Sequence, residues 1–101
     1  MTEAGEALQR ALCADVPALA TVEALESRSW ASITFSCERH HVVLRLEGRA
    51  AAAAADNFLD GLAEQEFALE GHILADIALV SDEREDDLVR LTLEALTVEE
   101  A

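Results

Sequence analysis

The stretch Arg49-Ala50-Ala51-Ala52-Ala53-Ala54-Ala55-Asp56-Asn57-Phe58-Leu59-Asp60-Gly61-Leu62-Ala63 decides how the rest of the chain is read. Its six consecutive alanines carry no branch at Cβ and lose no side-chain entropy on entering a helix, so they favour one strongly. A 3.6-residue period then sets Ala51, Ala55, Phe58, Leu59 and Leu62 on one stripe. The spacing predicts a helix from near Arg49 to about Gln65, held to a core by that stripe.

On each side lie runs in which apolar and polar residues alternate, the period of a half-buried strand. Upstream, Ala31, Ile33 and Phe35 alternate with Trp30, Ser32 and Thr34. After them, Val42, Leu44 and Leu46 alternate with Val43, Arg45 and Glu47. A loop at Cys37-Glu38-Arg39-His40 would pair Phe35 with Val42, Ile33 with Leu44 and Ala31 with Leu46, all on one face. A two-residue Cys37-Glu38 turn keeps that parity but offers no residue suited to positive φ, so the longer loop is expected. Gly48 ends the hairpin.

Downstream, Phe67, Leu69, Ile73, Ala75, Ile77 and Leu79 share one parity, with Gly71 in the series. A strand is expected over 72–80, with Phe67 and Leu69 covering the core edge or extending the strand past a kink at Gly71. Ser81 to Asp87 reads as a polar, acidic loop. A last strand over 88–98 should turn Val89, Leu91, Leu93 and Ala95 inward; Leu96 and Val98 break that parity, through a bulge or a covered end.

At the front, Thr2 is placed to cap a helix over 3–13 with Ala4, Leu8, Ala11 and Leu12 as its stripe and Glu3 and Glu6 at its positive end. Cys13 reads as a small packing residue, and Val16-Pro17 stops the helix. Residues 17–27 fit either a short helix from Pro17 or an extended lead into the first strand.

The resulting order, α-β-β-α-β-β, predicts an α+β two-layer sandwich: a four-stranded antiparallel sheet with two helices on one face. By topological analogy, a ferredoxin-like βαββαβ unit takes this order when its first strand moves to the end of the chain. A right-handed crossover then gives the strand order third, fourth, second, first. In that arrangement residues 37–40 and His72 fall at one end of the sheet, and the acidic loop at the other.

At 101 residues with 51% hydrophobic content, the chain reads as one domain with a real core. The acidic N-terminus lacks the apolar run of a signal peptide, and no stretch approaches the ~20 apolar residues of a membrane span. A cytoplasmic protein with Cys13 and Cys37 reduced is therefore expected. All seven cations are arginine, a composition that points to GC-rich codons, and they stand against 21 carboxylates for a net charge of −14. Such a field repels phosphate backbones and anionic lipid, so neither nucleic acid nor membrane is an expected partner; a basic protein would be attracted.

Chemical motifs are sparse. Cys37, His40, His41 and His72, with Glu38, form a weak candidate metal set, but Cys37-x-x-His40 is half a zinc motif without a second half. Adjacent histidines on a strand would also point apart. The acidic run Asp82 to Asp87 lacks the ligand spacing of a calcium loop. No nucleophile–base pairing or glycine-rich phosphate loop is visible, so no cofactor and no catalytic residues are assigned, and a non-enzymatic role is expected. Arg45, Arg90, Asp76, Glu94 and Thr92 share outward parity with Trp30, Val43, Leu74, Val80, Leu88, Leu96 and Val98. That is too much apolar surface for a face meant only for water. Trp30, Val43, Arg45, Arg90, Glu94 and Leu96 are the ligand or interface candidates, and a homodimer is the expected assembly. Two alternatives remain open: a pocket between subunits with Arg45, Arg90 and His41 as its chemical groups, and an acidic decoy for a basic partner.

Overall fold

Six elements follow one another in a computed structural model that describes residues 2–16, 20–31, 36–62, 64, 67 and 69–99. They are α1 (Glu3–Asp15), β1 (Ala20–Ala31), β2 (Ser36–Glu47), α2 (Ala51–Gly61), β3 (His72–Glu85) and β4 (Leu88–Glu99). The chain is α+β, with one antiparallel sheet in the order β1-β2-β4-β3. Read from the other edge, this is third, fourth, second, first. The long strands stretch the molecule to 48 × 21 × 19 Å. No helix among the described residues is long and apolar enough to cross a membrane.

The core lies on one side of the sheet. Val42, Leu44 and Leu46 of β2 and Val89, Leu91, Leu93 and Ala95 of β4 meet Leu8 and Leu12 of α1 and Ala51, Ala55 and Phe58 of α2, all buried in one cluster. Leu62 joins them and Leu59 packs against them, completing the expected stripe. Burying Phe58 alone is worth about 1.5–3 kcal/mol. The helix is shorter than its sequence suggests: Ala50 makes no side-chain cap bond, and the structure ends α2 at Gly61. Gln65 lies outside the described residues.

In α1 the Thr2 hydroxyl accepts from the Gly5 backbone N–H at 3.0 Å, closing the first turn. The helix runs two residues past 13, and Val16, its C-cap, is buried. Gly5 lets α1 approach β1 closely: a Cβ there would stand 3.0 Å from Leu25 Cδ2, 3.1 Å from Thr2 Oγ1 and 3.2 Å from Ser27 Oγ.

The first hairpin corrects the expected register. Residues 20–31, of which 20–27 fit either a helix or an extended lead-in by sequence, form β1, and Leu46 pairs with Ala20, Leu44 with Val22 and Val42 with Leu25. Cys37 to His40, expected as a loop, belong to β2, and Ala31 pairs with Ser36. The pairings expected for Ile33 and Phe35 fall outside the described residues. β2 already begins at Ser36, ahead of the expected loop, so the pairing differs throughout, and a bulge between Val22 and Ala24 shifts it by one further residue within β1. Ala20 and Val22 face the core before it, Leu25 and Ser27 after it, so the period of two is broken mid-strand.

The second hairpin is corrected in the same way. β3 continues through Ser81–Glu85, leaving only Asp86 and Asp87 as the turn, with Asp86 in the left-handed region at φ 51°, a conformation aspartate tolerates. At this end the Gly48 N–H donates to the Asp87 carbonyl at 2.8 Å, tying the end of β2 to that turn. Bulges between Leu74 and Asp76 and between Leu79 and Ser81 shift the inward series twice. Leu74, expected outward, packs on the core, whereas Ile73, expected inward, pairs with Val98 and is 53% exposed. Strand β4 has no bulge: Thr97 takes the inward position after Ala95 and is buried, while Leu96 and Val98 stay outward.

Candidate functional site

The helices cover one face of the sheet, and among the described residues nothing covers the other, the bare face. Register places on the bare face Glu26 and Arg28 of β1; Arg39, His41, Val43, Arg45 and Glu47 of β2; and Leu88, Arg90, Thr92, Glu94, Leu96 and Val98 of β4. Of the interface candidates, Val43 lies between Ala24 and Thr92, Leu96 between Arg39 and Asp76, and Glu94 opposite His41. Trp30 is opposite Cys37 by backbone register. Leu74 leaves the set for the core side; Val80 stays exposed, at a bulge in β3.

Arg45 and Arg90 face each other across β2 and β4, a pair of like charges that would repel if left alone. Glu23, the bulged residue of β1, prevents this. Arg90 Nε and Nη2 donate to its two carboxylate oxygens at 2.7 and 3.0 Å, and Arg45 Nη1 lies 3.9 Å from Oε1. Arg45 Nε is also 2.8 Å from Glu47 Oε1. The hydrogen bonds from Arg90 hold the Glu23 carboxyl below its usual range and push the Arg90 guanidinium up. His41 Nδ1 is 3.9 Å from Glu94 Oε1. Glu23 escaped the sequence reading because the bulge that turns it toward the arginines leaves no periodic signal.

Charge on this face is balanced in a chain that is not. Across β1, β2 and β4 the four arginines Arg28, Arg39, Arg45 and Arg90 stand against the four glutamates Glu23, Glu26, Glu47 and Glu94. Their formal sum is zero, against −14 for the whole chain. Asp76, Glu83 and Glu85 extend the face along β3 and add negative charge at that edge.

The candidate metal ligands do not converge. Cys37 and His40 lie three positions apart on a strand, which sends their side chains to opposite faces. His40 is fully buried, with Nδ1 2.7 Å from Ser27 Oγ and Nε2 2.9 Å from Thr97 Oγ1, so both ring nitrogens are occupied. His41 points to the bare face, and His72 Nδ1 lies 3.0 Å from the Glu70 carbonyl. Among the described residues no three His, Cys, Asp or Glu side chains form a metal-holding group. Burial lowers the His40 pKa most, the His72 charge lowers it further, and the Glu38 charge opposes both. Burial also pushes the Cys13 thiol up.

Beside this network a cavity of about 440 Å³ opens past the start of α1, bringing Ser29, Glu38, His72, Thr97 and Glu99 to one end of the sheet. Ser27 and Thr97 were not singled out by sequence, because neither hydroxyl shows its partner until the strands are aligned. In comparisons with known proteins, no family model, no curated protein and no solved structure matches this chain.

Proposed function

We propose that the protein is a non-enzymatic binding module that works as a homodimer, with the bare face of its sheet as the contact between two copies. The observation that carries this reading is the charge balance of that face. Two copies of a −14 chain repel each other, and the neutral area over β1, β2 and β4 is where that repulsion is least. Its central ionic groups are already paired with one another, so covering them strands no lone charge. Ala24, Val43, Leu88, Leu96 and Val98 supply apolar surface between them.

Area supports the same reading. Four strands of 12 to 14 residues, at ~3.3 Å per residue and ~4.8 Å apart, make the whole bare face, β3 included, roughly 40 Å by 19 Å. That is about 750 Å² per copy, close to the ~800 Å² per partner of a standard interface. The alternative of a subunit-interface site built on free Arg45 and Arg90 is weakened by Glu23, which engages both. We further read the sheet order, with both helices behind it, as a ferredoxin-like unit whose first strand has moved to the chain's end.

Light scattering on a size-exclusion column tests the dimer. The wild type should show twice the 10.9 kDa chain mass, and Val43→Asp, which buries a charge between Ala24 and Thr92 at the centre of the contact, should show the chain mass alone. A wild type of single mass at all concentrations overturns the reading.

A further inference from the structure

Seen across its strands, the bare face is a set of rows. One row is Arg28, Arg39, Leu96, Asp76, running from β1 to β3. Outside it lie Cys37, Val98 and Ile73; inside it come Glu26, His41, Glu94 and Ala78. Arg28 and Arg39 are directly opposed like charges, as Arg45 and Arg90 are, yet no Glu23 stands between them. Among the described residues neither has a carboxylate within 4 Å, and Asp76, exposed at the far end, has no cation within that distance. In a chain with three carboxylates for every arginine, two neighbouring arginines with no acid in direct contact leave room for one from outside. A hollow of about 350 Å³ lined by Arg28, Arg39, His41, Glu26 and Glu94 leaves room for it.

We infer that the outside acid is Asp76 of a second copy, and that the two-fold axis of the dimer runs along the strands between β2 and β4. This rests on the homodimer reading above. Such an axis lays β1 on the partner's β3 and β2 on the partner's β4 while keeping each row at its own level. The row is then read against its own reverse. Arg28 meets the partner's Asp76 twice by symmetry, the Arg39 stem lies on the partner's Leu96, and His41 faces the partner's Glu94. One row out, Cys37 lies on the partner's Val98, apolar against apolar.

An axis across the strands does the opposite. It stacks β1 on β1 and β2 on β2, setting the arginine-bearing half of each copy on that of the other. Under the strand-parallel axis the Arg45–Arg90 row would meet its own like charges, but those are neutralised within the chain by Glu23 and Glu47.

Charge reversal tests this with a prediction few other arrangements share. Arg28→Asp sets two aspartates together at each symmetry-related contact, and Asp76→Arg sets two arginines together. Each variant alone should dimerise about 100-fold more weakly, about tenfold for each of the two contacts. Mixed in equal amounts, the two should recover the dimer mass as a heterodimer, and one chain carrying both reversals should dimerise like the wild type. Recovery on mixing also shows that both variants are folded. If the wild type is a dimer but the single variants keep its affinity, or mixing and the double variant restore nothing, the axis and the Arg28–Asp76 contact are overturned while the homodimer stands. A monomeric wild type overturns both.

Discussion

The imidazole of His40 and the hydroxyl of Thr97, 57 positions apart in sequence, meet at 2.9 Å inside the sheet's covered side. With Ser27 on the other ring nitrogen, the contact joins β1, β2 and β4 through one buried polar group. Thr97→Val keeps the shape of the side chain and removes the partner. It should cost about 1–3 kcal/mol of stability, the penalty of a buried polar group left unpaired. Urea denaturation measures this, and an unchanged midpoint would show that the pair contributes nothing.

The same burial gives the fold a pH dependence. His40 has a folded pKa below its ordinary value of 6.5, so in the window below 6.5 the unfolded chain binds the proton more readily. Stability is therefore flat above that window and declines as pH falls through it towards the folded pKa. The charge of Glu38 nearby moderates the decline and that of His72 deepens it. A His40→Gln variant should start less stable and lack this component of the slope. An equal slope in both proteins would assign the pH dependence elsewhere.

Gly5→Ala should destabilise the protein, although alanine is the best helix former. Its methyl would press on Ser27 Oγ, which is committed to His40, and on Thr2 Oγ1, which caps the helix. Crowding of this kind costs ~1–3 kcal/mol, set against the ~1 kcal/mol gained in propensity. Chemical denaturation reads the balance, and a stabilised variant would mean that α1 sits less closely on β1.

Phe58→Ala tests whether α2 is anchored by its stripe. Phe58 is 3% exposed within the main cluster, and its truncation should cost about 3–5 kcal/mol. Near-neutral unfolding data would contradict the packing described for that helix.

The elements legible in the sequence are those whose period is unbroken. β4 alternates from Leu88 to Glu99 without a bulge, and its inward Val89, Leu91, Leu93 and Ala95 are legible, though not Thr97 near its end; so is the stripe of α2. β1 and β3 carry bulges at Glu23, Ala75 and Val80 that shift the inward series within each strand, and the hairpin ends are hidden because Cys37 to His40 and Ser81 to Glu85, polar enough to read as loops, belong to strands. The bare face was legible in Val43, Arg45, Arg90, Glu94 and Leu96, which sit on β2 and β4. Glu23 and Arg28 are not, because β1 does not read as a strand over most of its length. A bulge re-aims one side chain, and at Glu23 that side chain neutralises the arginine pair at the centre of the face.

The mass of the protein in solution tests the central claim most directly. Wild type, Val43→Asp and Trp30→Glu should be compared by light scattering at low and high salt, with circular dichroism confirming that all three are folded. The account predicts a wild-type dimer at both salt concentrations, weaker at high salt where the Arg28–Asp76 pairs are screened, and folded monomers for the two variants. A wild type that stays at the mass of one chain throughout would contradict it.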